Sequence, residues 1–419
     1  MKDISPDNIQ SSGNDRNSSI TGLIMSASAT FLLAVAMGLS AVIIPTTLQN
    51  DGISNTLIGL IMSLETIASI LISLLFPLFL RFVSMKTGLL ISTIFRIPSL
   101  LLLAYFSNPF IWASAVFFNG VGCFSFLILL QTWIVGMKFK KNKGLMVALY
   151  STSLSLGLAT GPILLEYSKA LVPLAIPYMM DIYTSKTHTP DVAALVMQTR
   201  FYFILTAFIS LLALLPILIG FLSVPSVKFK GSSGVWKTIM QAKGPMFAVA
   251  MAGVSFFGVC AFITLYGLKN QLTLQESALL LTCFMIGSLM LETPLTWASD
   301  YIDRRYVIVI AAFLSMLCAV YLPIAIYVNY QAFILLFIWG GVIGSIYSTA
   351  LALIGDKYEG DALVAANAGY SLMDAAGGTV GILLIGYTMD AFGSDGLPYV
   401  IMLSSILYFS FALTRYRVV

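Results

Sequence analysis

Four ionisable side chains interrupt long apolar runs in this sequence: Glu65, Arg96, Glu292 and Asp374. Ionising one at mid-bilayer costs about 2.5–3.5 kcal/mol on insertion scales, so such residues are the first place to look for function. A carboxyl held in a dry run of helix takes up a proton and gives it back when water or a solute arrives. That is the chemistry of proton coupling, and Asp374, Glu65 and Glu292 are its candidates. Asp374 has no basic residue on its own run within two turns. Steps of three and four put it on one helical face with Asn367, Tyr370, Gly377, Gly378 and Gly381. This makes Asp374 the leading coupling carboxylate. The competing explanation is a carboxyl hydrogen-bonded between helices.

Glu65 lies nine residues into its run and Arg96 nine into the next, antiparallel one. At 1.5 Å per residue both sit ~14 Å deep in a ~30 Å hydrocarbon core, so a buried ion pair is predicted. Glu292 falls nearer the end of its run. Asn119, Gln131, Asn367, Tyr370, Trp339 and Tyr347 are the candidates for lining a solute cavity. For Trp339 and Tyr347, aromatic packing is the competing explanation.

Other chemistry is excluded by what these residues cannot assemble. The single histidine, His188, lies in a polar segment and cannot build a multi-histidine metal site. Cys123, Cys260, Cys283 and Cys318 all fall inside apolar runs, without metal-ligand spacing, and read as small buried hydrophobes. No His-Glu-x-x-His, Gly-x-Ser-x-Gly or paired-aspartate motif occurs, so no intramembrane enzyme is indicated. No phosphate-binding Gly-x-x-x-x-Gly-Lys loop is present for an ATP-driven pump. Neither metal nor cofactor is expected. The basic residues are too scattered for a nucleic-acid face.

The elements that carry these residues follow from composition. Hydrophobic residues make up 59% of the chain and charged residues 10%, against roughly 25% in a soluble domain. Mean hydropathy is +0.95. Apolar runs near the ~20 residues of a spanning helix recur at 22–47, 56–80, 87–106, 109–136, 145–166 and 201–224. A second set lies at 244–268, 276–298, 306–327, 331–354, 363–388 and 398–415. The prediction is an all-α membrane protein of twelve transmembrane helices. In lipid each must be a helix, because every backbone polar group needs a partner within the segment.

With the N-terminus in the cytoplasm, 17 lysines and arginines fall on the cytoplasmic side and 4 on the other. That asymmetry is the expected one. It puts both termini in the cytoplasm, with the bilayer as the protein's surroundings; the expected location is the cell membrane, a bacterial inner membrane. Residues 1–21 form a polar tail predicted to be disordered. Residues 22–224 and 244–419 form two six-helix halves, and 225–243, with Pro225 and four lysines, form a cytoplasmic linker. The segment 167–200 is a long external connection. A shift of 220 superposes Gly120 on Gly340, Tyr150-Ser151 on Tyr370-Ser371, Gly157 on Gly377 and Gly161 on Gly381. Parallel repeats of this kind suit a carrier with two rocking halves.

One motif stands at a break between runs: Glu292-Thr-Pro294-Leu-Thr-Trp297-Ala-Ser299-Asp300-Tyr-Ile-Asp303-Arg304-Arg305. An acidic group such as Asp300 can bond the open N–H groups at the start of a neighbouring helix, whose dipole favours negative charge. Such a contact holds one conformation and breaks in another. Asp303, Arg304 and Arg305 complete this candidate gate. On another run, Gly157-x-x-x-Gly161-Pro162 removes side chains where helices cross and adds a kink.

These motifs, with Gln131-Thr-Trp133 and Gly144-Leu-Met-Val-Ala-Leu-Tyr150, resemble the major facilitator superfamily of transporters. A poorly characterised bacterial subgroup is the nearer resemblance. Tyr347-Ser348 and Asp356 match its second half, whereas Glu292 stands where that subgroup has glutamine. The resemblance implies a twelve-helix carrier, monomeric, moving a small-molecule solute by alternating access, proton-linked or facilitated. A membrane sensor of the same fold is the reading from another class.

Overall fold

The computed structural model describes residues 6–136, 143–168, 190–220, 235–299, 301–328, 330–358 and 360–416. It is helical throughout. The first half comprises α1 (Pro6–Asn50), α2 (Asn55–Phe82), α3 (Met85–Tyr105), α4 (Pro109–Gly136), α5 (Lys143–Ser168), α6 (Pro190–Leu212) and the short α7 (Leu214–Ile219). After a seven-residue helix, α8 (Val235–Gln241), come α9 (Lys243–Lys269), α10 (Leu274–Ala298), α11 (Arg304–Ala325), α12 (Gln331–Lys357), α13 (Gly360–Ala391) and α14 (Gly396–Tyr416). Among the described residues, ten segments are long and apolar enough to cross a membrane, and Leu149–Leu165 is a shorter apolar stretch on α5. The last long helix, α14, lies where a further span is expected.

Element ends follow local chemistry. Ser84 caps α3 by accepting from the Thr87 N–H. Thr273 and Glu276 form a reciprocal capping box at the start of α10. The connection between α1 and α2 uses Gly52 at φ 75°, and the one after α13 uses Gly393 at φ 73°, conformations that suit glycine.

Three expectations change. The tail predicted to be disordered over 1–21 is helical from Pro6 onward, because α1 extends N-terminally, each added residue contributing one hydrogen bond to a helix already nucleated. The sixth run, predicted at 201–224, begins at Pro190 and breaks at Ala213 before α7. Arg200, one of the four basic residues counted on the external side, lies within this helix and is buried with its guanidinium 5.5 Å from the centre of the Tyr105 ring. The predicted linker contains the helix α8, which packs on α13.

The two halves share one packing scheme. In the first, α1 packs on α5, α2 on α4, α3 on α4, and α6 on both α1 and α3. In the second, α9 packs on α13, α10 on α12, α11 on α12, and α14 on both α9 and α11. Glycines sit at matching crossings. A Cβ built at Gly157 would lie 2.5 Å from the Phe31 carbonyl oxygen of α1, and one at Gly161 2.6 Å from the Val35 oxygen. In the other half, a Cβ at Gly377 would lie 1.9 Å from the Ala250 oxygen of α9, and one at Gly381 2.7 Å from the Val254 oxygen. Without side chains at these points the backbones come into direct contact. Around the outside, Ile94, Phe110, Leu215, Ile310, Ile334 and Leu403 are exposed, the apolar skin that a lipid-facing surface requires.

Candidate functional site: the cavity and contacts between the halves

The halves meet chiefly through α2 against α13 and α5 against α10, with α1 touching α9. A cavity of about 100 Å³ lies on this seam. Its wall takes Met62, Glu65 and Thr66 from α2, Phe124 from α4, Phe256, Phe257 and Cys260 from α9, and Met285 from α10. Thr66 is already engaged. Its hydroxyl lies 2.8 Å from that of Thr379 on α13 and donates to the Ser63 carbonyl at 2.9 Å. Glu65 has neither a hydrogen bond nor an ion pair among the described residues, so its carboxylate is the unclaimed polar group of the wall.

Arg96 does not pair directly with Glu65. The guanidinium donates through Nε to Ser210 Oγ on α6 at 2.9 Å, and among the described residues neither of its buried terminal nitrogens has a hydrogen-bond partner. Glu65 feels its charge through space. The reason is azimuth rather than depth: Arg96 packs against Gly122 on α4, while Glu65 faces the seam. The predicted buried pair is therefore replaced by a carboxylate at the cavity and a guanidinium behind it.

Glu292 and Asp374 lie within the second half. Glu292 accepts from Ser348 Oγ of α12 and, at 3.2 Å, from Ser288 Oγ. A Cβ at Gly344 would meet its Oε2 at 2.6 Å, which places the carboxylate inside the α10–α12 crossing. Asp374 lies at the α9–α13 crossing, where a Cβ at Gly253 would come within 3.0 Å of Oδ1. Tyr347 and Tyr370 stack edge to face at 5.1 Å, and the Tyr370 hydroxyl donates to the Tyr347 carbonyl. Asp374 follows Tyr370 by one turn of α13, and Tyr347 precedes Ser348, the partner of Glu292, on α12. The structure thus gathers Glu292, Tyr347, Tyr370 and Asp374 into one neighbourhood of the second half, separate from the cavity wall.

The remaining candidates divide. Trp339 is buried and donates from Nε1 to Ser315 Oγ at 2.9 Å, tying α12 to α11. Asn119 is fully buried, and among the described residues neither of its side-chain polar atoms has a hydrogen-bond partner. Gln131 and Asn367 are exposed and are not part of the cavity wall. Pro162 sits within α5 beside Gly38 of α1. Asp300 lies outside the described residues. Asp303 caps α11 by accepting from the Arg305 N–H at 2.9 Å, and Arg304 bridges to Asp356 at 2.9 Å. Among the described residues no group of three or more His, Cys, Asp or Glu is placed to hold a metal ion.

One contact was not foreseen. Asp390, at the end of α13, caps the start of α2 across the seam. Its Oδ1 accepts from the Asn55 N–H at 2.9 Å and from Asn55 Nδ2 at 2.6 Å. Oδ2 accepts from the Thr56 N–H at 2.7 Å and from Thr56 Oγ1 at 2.5 Å. An acidic group on a helix N-terminus is the chemistry read into Asp300, here realised by another residue. The available signal was an aspartate closing one apolar run and Asn-Thr opening another. Beside the clasp, a Cβ at Gly386 would lie 2.5 Å from the Asn55 oxygen, so the backbones of α2 and α13 touch there.

A multi-pass helical bundle of two repeated halves, with a cavity holding a carboxylate between them, is the build of a membrane transporter. The chain belongs to the Major Facilitator Superfamily, whose sequence profile matches residues 26–269 and 245–418. It is a transporter of small molecules, not an enzyme. It is similar to an "Uncharacterized MFS-type transporter YfkF" of Bacillus subtilis (strain 168), 24% identical over 73% of this chain and 74% of that one. Solved structures share the fold. An inward-facing, unoccupied bacterial homolog of the human lysosomal transporter Spinster matches with a TM-score of 0.74 at 9% identity, over 95% of this chain and 96% of that one. The nucleoside transporter NupG matches at 0.70 and 11% identity, covering 95% and 99% of the two chains. FucP in the outward conformation matches at 0.61 and 18%, again over 95% and 99%.

Proposed function

We propose that this protein is a twelve-span secondary transporter that moves a small solute across the cell membrane by alternating access. It works as a monomer, coupled to protons, with both termini in the cytoplasm. The observation that carries the reading is the seam itself. The cavity lies between the halves, and the inter-half hydrogen bonds at Asp390, Thr66–Thr379 and Thr282–Ala159 lie at or beyond it, toward the ends where α2 and α10 begin. In the proposed orientation that is the external side. A bundle clasped on that side over a central cavity is closed toward it, and release of the clasp would let the halves rock.

Asp374 is the proposed coupling carboxylate, with Tyr347 and Tyr370 beside it and Glu292 as the rival. A thermal-stabilisation screen of the purified protein identifies a solute that binds the folded form. Its flux is then measured in liposomes. Asp374→Asn keeps the shape and removes the proton site, so the variant should lose accumulation driven by a pH gradient yet retain downhill exchange. Undiminished gradient-driven accumulation with normal pH dependence would remove Asp374 from the mechanism and bring Glu65 and Glu292 forward. Saturable downhill flux that no gradient drives in the wild type would make the protein a facilitator.

A further inference from the structure

The cavity wall also bears on what the solute is. We infer that the solute is a lipophilic cation: an apolar or aromatic body carrying one positive charge, with the charge held at Glu65. This rests on the reading of the seam cavity as the solute site.

Fifteen residues form the wall, and the polar side chains among them are Glu65 and Thr66. The Thr66 hydroxyl is spent on Ser63 and Thr379. A sugar or nucleoside needs several hydrogen-bond partners when it leaves water, because each buried polar group left unpaired costs about 1–3 kcal/mol. This wall does not supply them. The shared fold with a nucleoside transporter therefore does not extend to its solute. An anion meets the wrong charge, since Glu65 faces the cavity whereas Arg96 is 2% exposed and lies outside the wall.

An organic cation meets complementary surfaces. Phe124, Phe256 and Phe257 offer aromatic faces, which attract cations as well as apolar groups. Met37, Met62 and Met285 are flexible and polarizable and adapt to irregular shapes. Glu65 lacks a bonded partner of its own, so a bound cation would supply one.

The test compares two ions of nearly equal size and opposite charge, tetraphenylphosphonium and tetraphenylborate, both larger than the cavity in this form and so admitted only as the halves part, on the purified full-length protein in detergent. The phosphonium should bind and raise the melting temperature, and the borate should not. Glu65→Gln should weaken phosphonium binding at least tenfold, and Glu65→Asp, which keeps the charge, should retain most of it. Equal binding of both ions by the wild type would overturn the inference without any variant having to fold. So would undiminished phosphonium binding by Glu65→Gln. Flux is read separately in liposomes. Phosphonium binding without flux of any solute would keep the ligand class and remove the carrier reading. Flux of a sugar or amino acid with no phosphonium binding would keep the carrier and remove the ligand class.

Discussion

Replacing Asp390 with alanine should shift the protein about 30-fold toward the form in which α2 and α13 are apart at that end. The carboxylate takes four hydrogen bonds, two from backbone N–H groups that the start of α2 cannot satisfy internally. Bonds to a charged group contribute roughly 1.5–3 kcal/mol each when sheltered. Asp390 is exposed, and water replaces much of this once the halves part, so a total of about 2 kcal/mol is the appropriate figure. At 1.4 kcal/mol per tenfold, that is the stated shift. Asp390→Asn, which keeps one acceptor oxygen, should shift it less. Spin labels at Phe106 and Val328, exposed near that end of the two halves, report the distance between them. A distance distribution in Asp390→Ala identical to that of the parent would show that the clasp holds nothing closed.

The second large effect is on folding. Gly377→Leu should leave no correctly folded protein, whereas Gly355→Leu should be tolerated. At Gly377 the first added carbon would sit 1.9 Å from the Ala250 oxygen and 2.7 Å from its carbonyl carbon. The obstacle is backbone, which cannot rotate aside as a side chain can. Overpacking costs about 1–3 kcal/mol where neighbours yield. Here α9 and α13 would have to separate along their whole crossing, and the cost exceeds that range. Gly355, on α12, has nothing within 4 Å of the built Cβ, and losing a helical glycine there removes an entropic penalty of about 0.5–1 kcal/mol. Size-exclusion profiles of fluorescent fusions measure both. A monodisperse Gly377→Leu protein melting at the parental temperature would refute the close crossing.

The long apolar runs were readable because a spanning helix must be apolar over its whole length, and nothing else in the chain imitates that. The glycine repeat was readable because the two halves cross their helices in the same way, so Gly157 and Gly377 answer one steric demand. What sequence periodicity lacks is azimuth. Glu65 and Arg96 are at matched depth, yet one faces the seam and the other lies against α4 and α6. Asn367 and Gln131 share faces with other polar residues, but a helix in a bundle has several faces, and theirs are not at the cavity. Phe256 and Phe257 were invisible as wall residues because an apolar side chain toward a cavity and one toward lipid look alike in sequence. Arg200 was counted with the external charges because the Tyr105 ring beside it lies far away in the chain. Asp390 was passed over because its partners are more than 300 residues distant.

The matching pattern of packing also bears on assembly. Each half completes its own set of helix crossings and relies on the other mainly along the α2–α13 and α5–α10 seam. Covalent continuity through the middle of the chain is then a convenience of synthesis, not a requirement of structure. Two polypeptides made by cutting within residues 225–234 and produced in the same cell should each insert, meet along that seam and copurify.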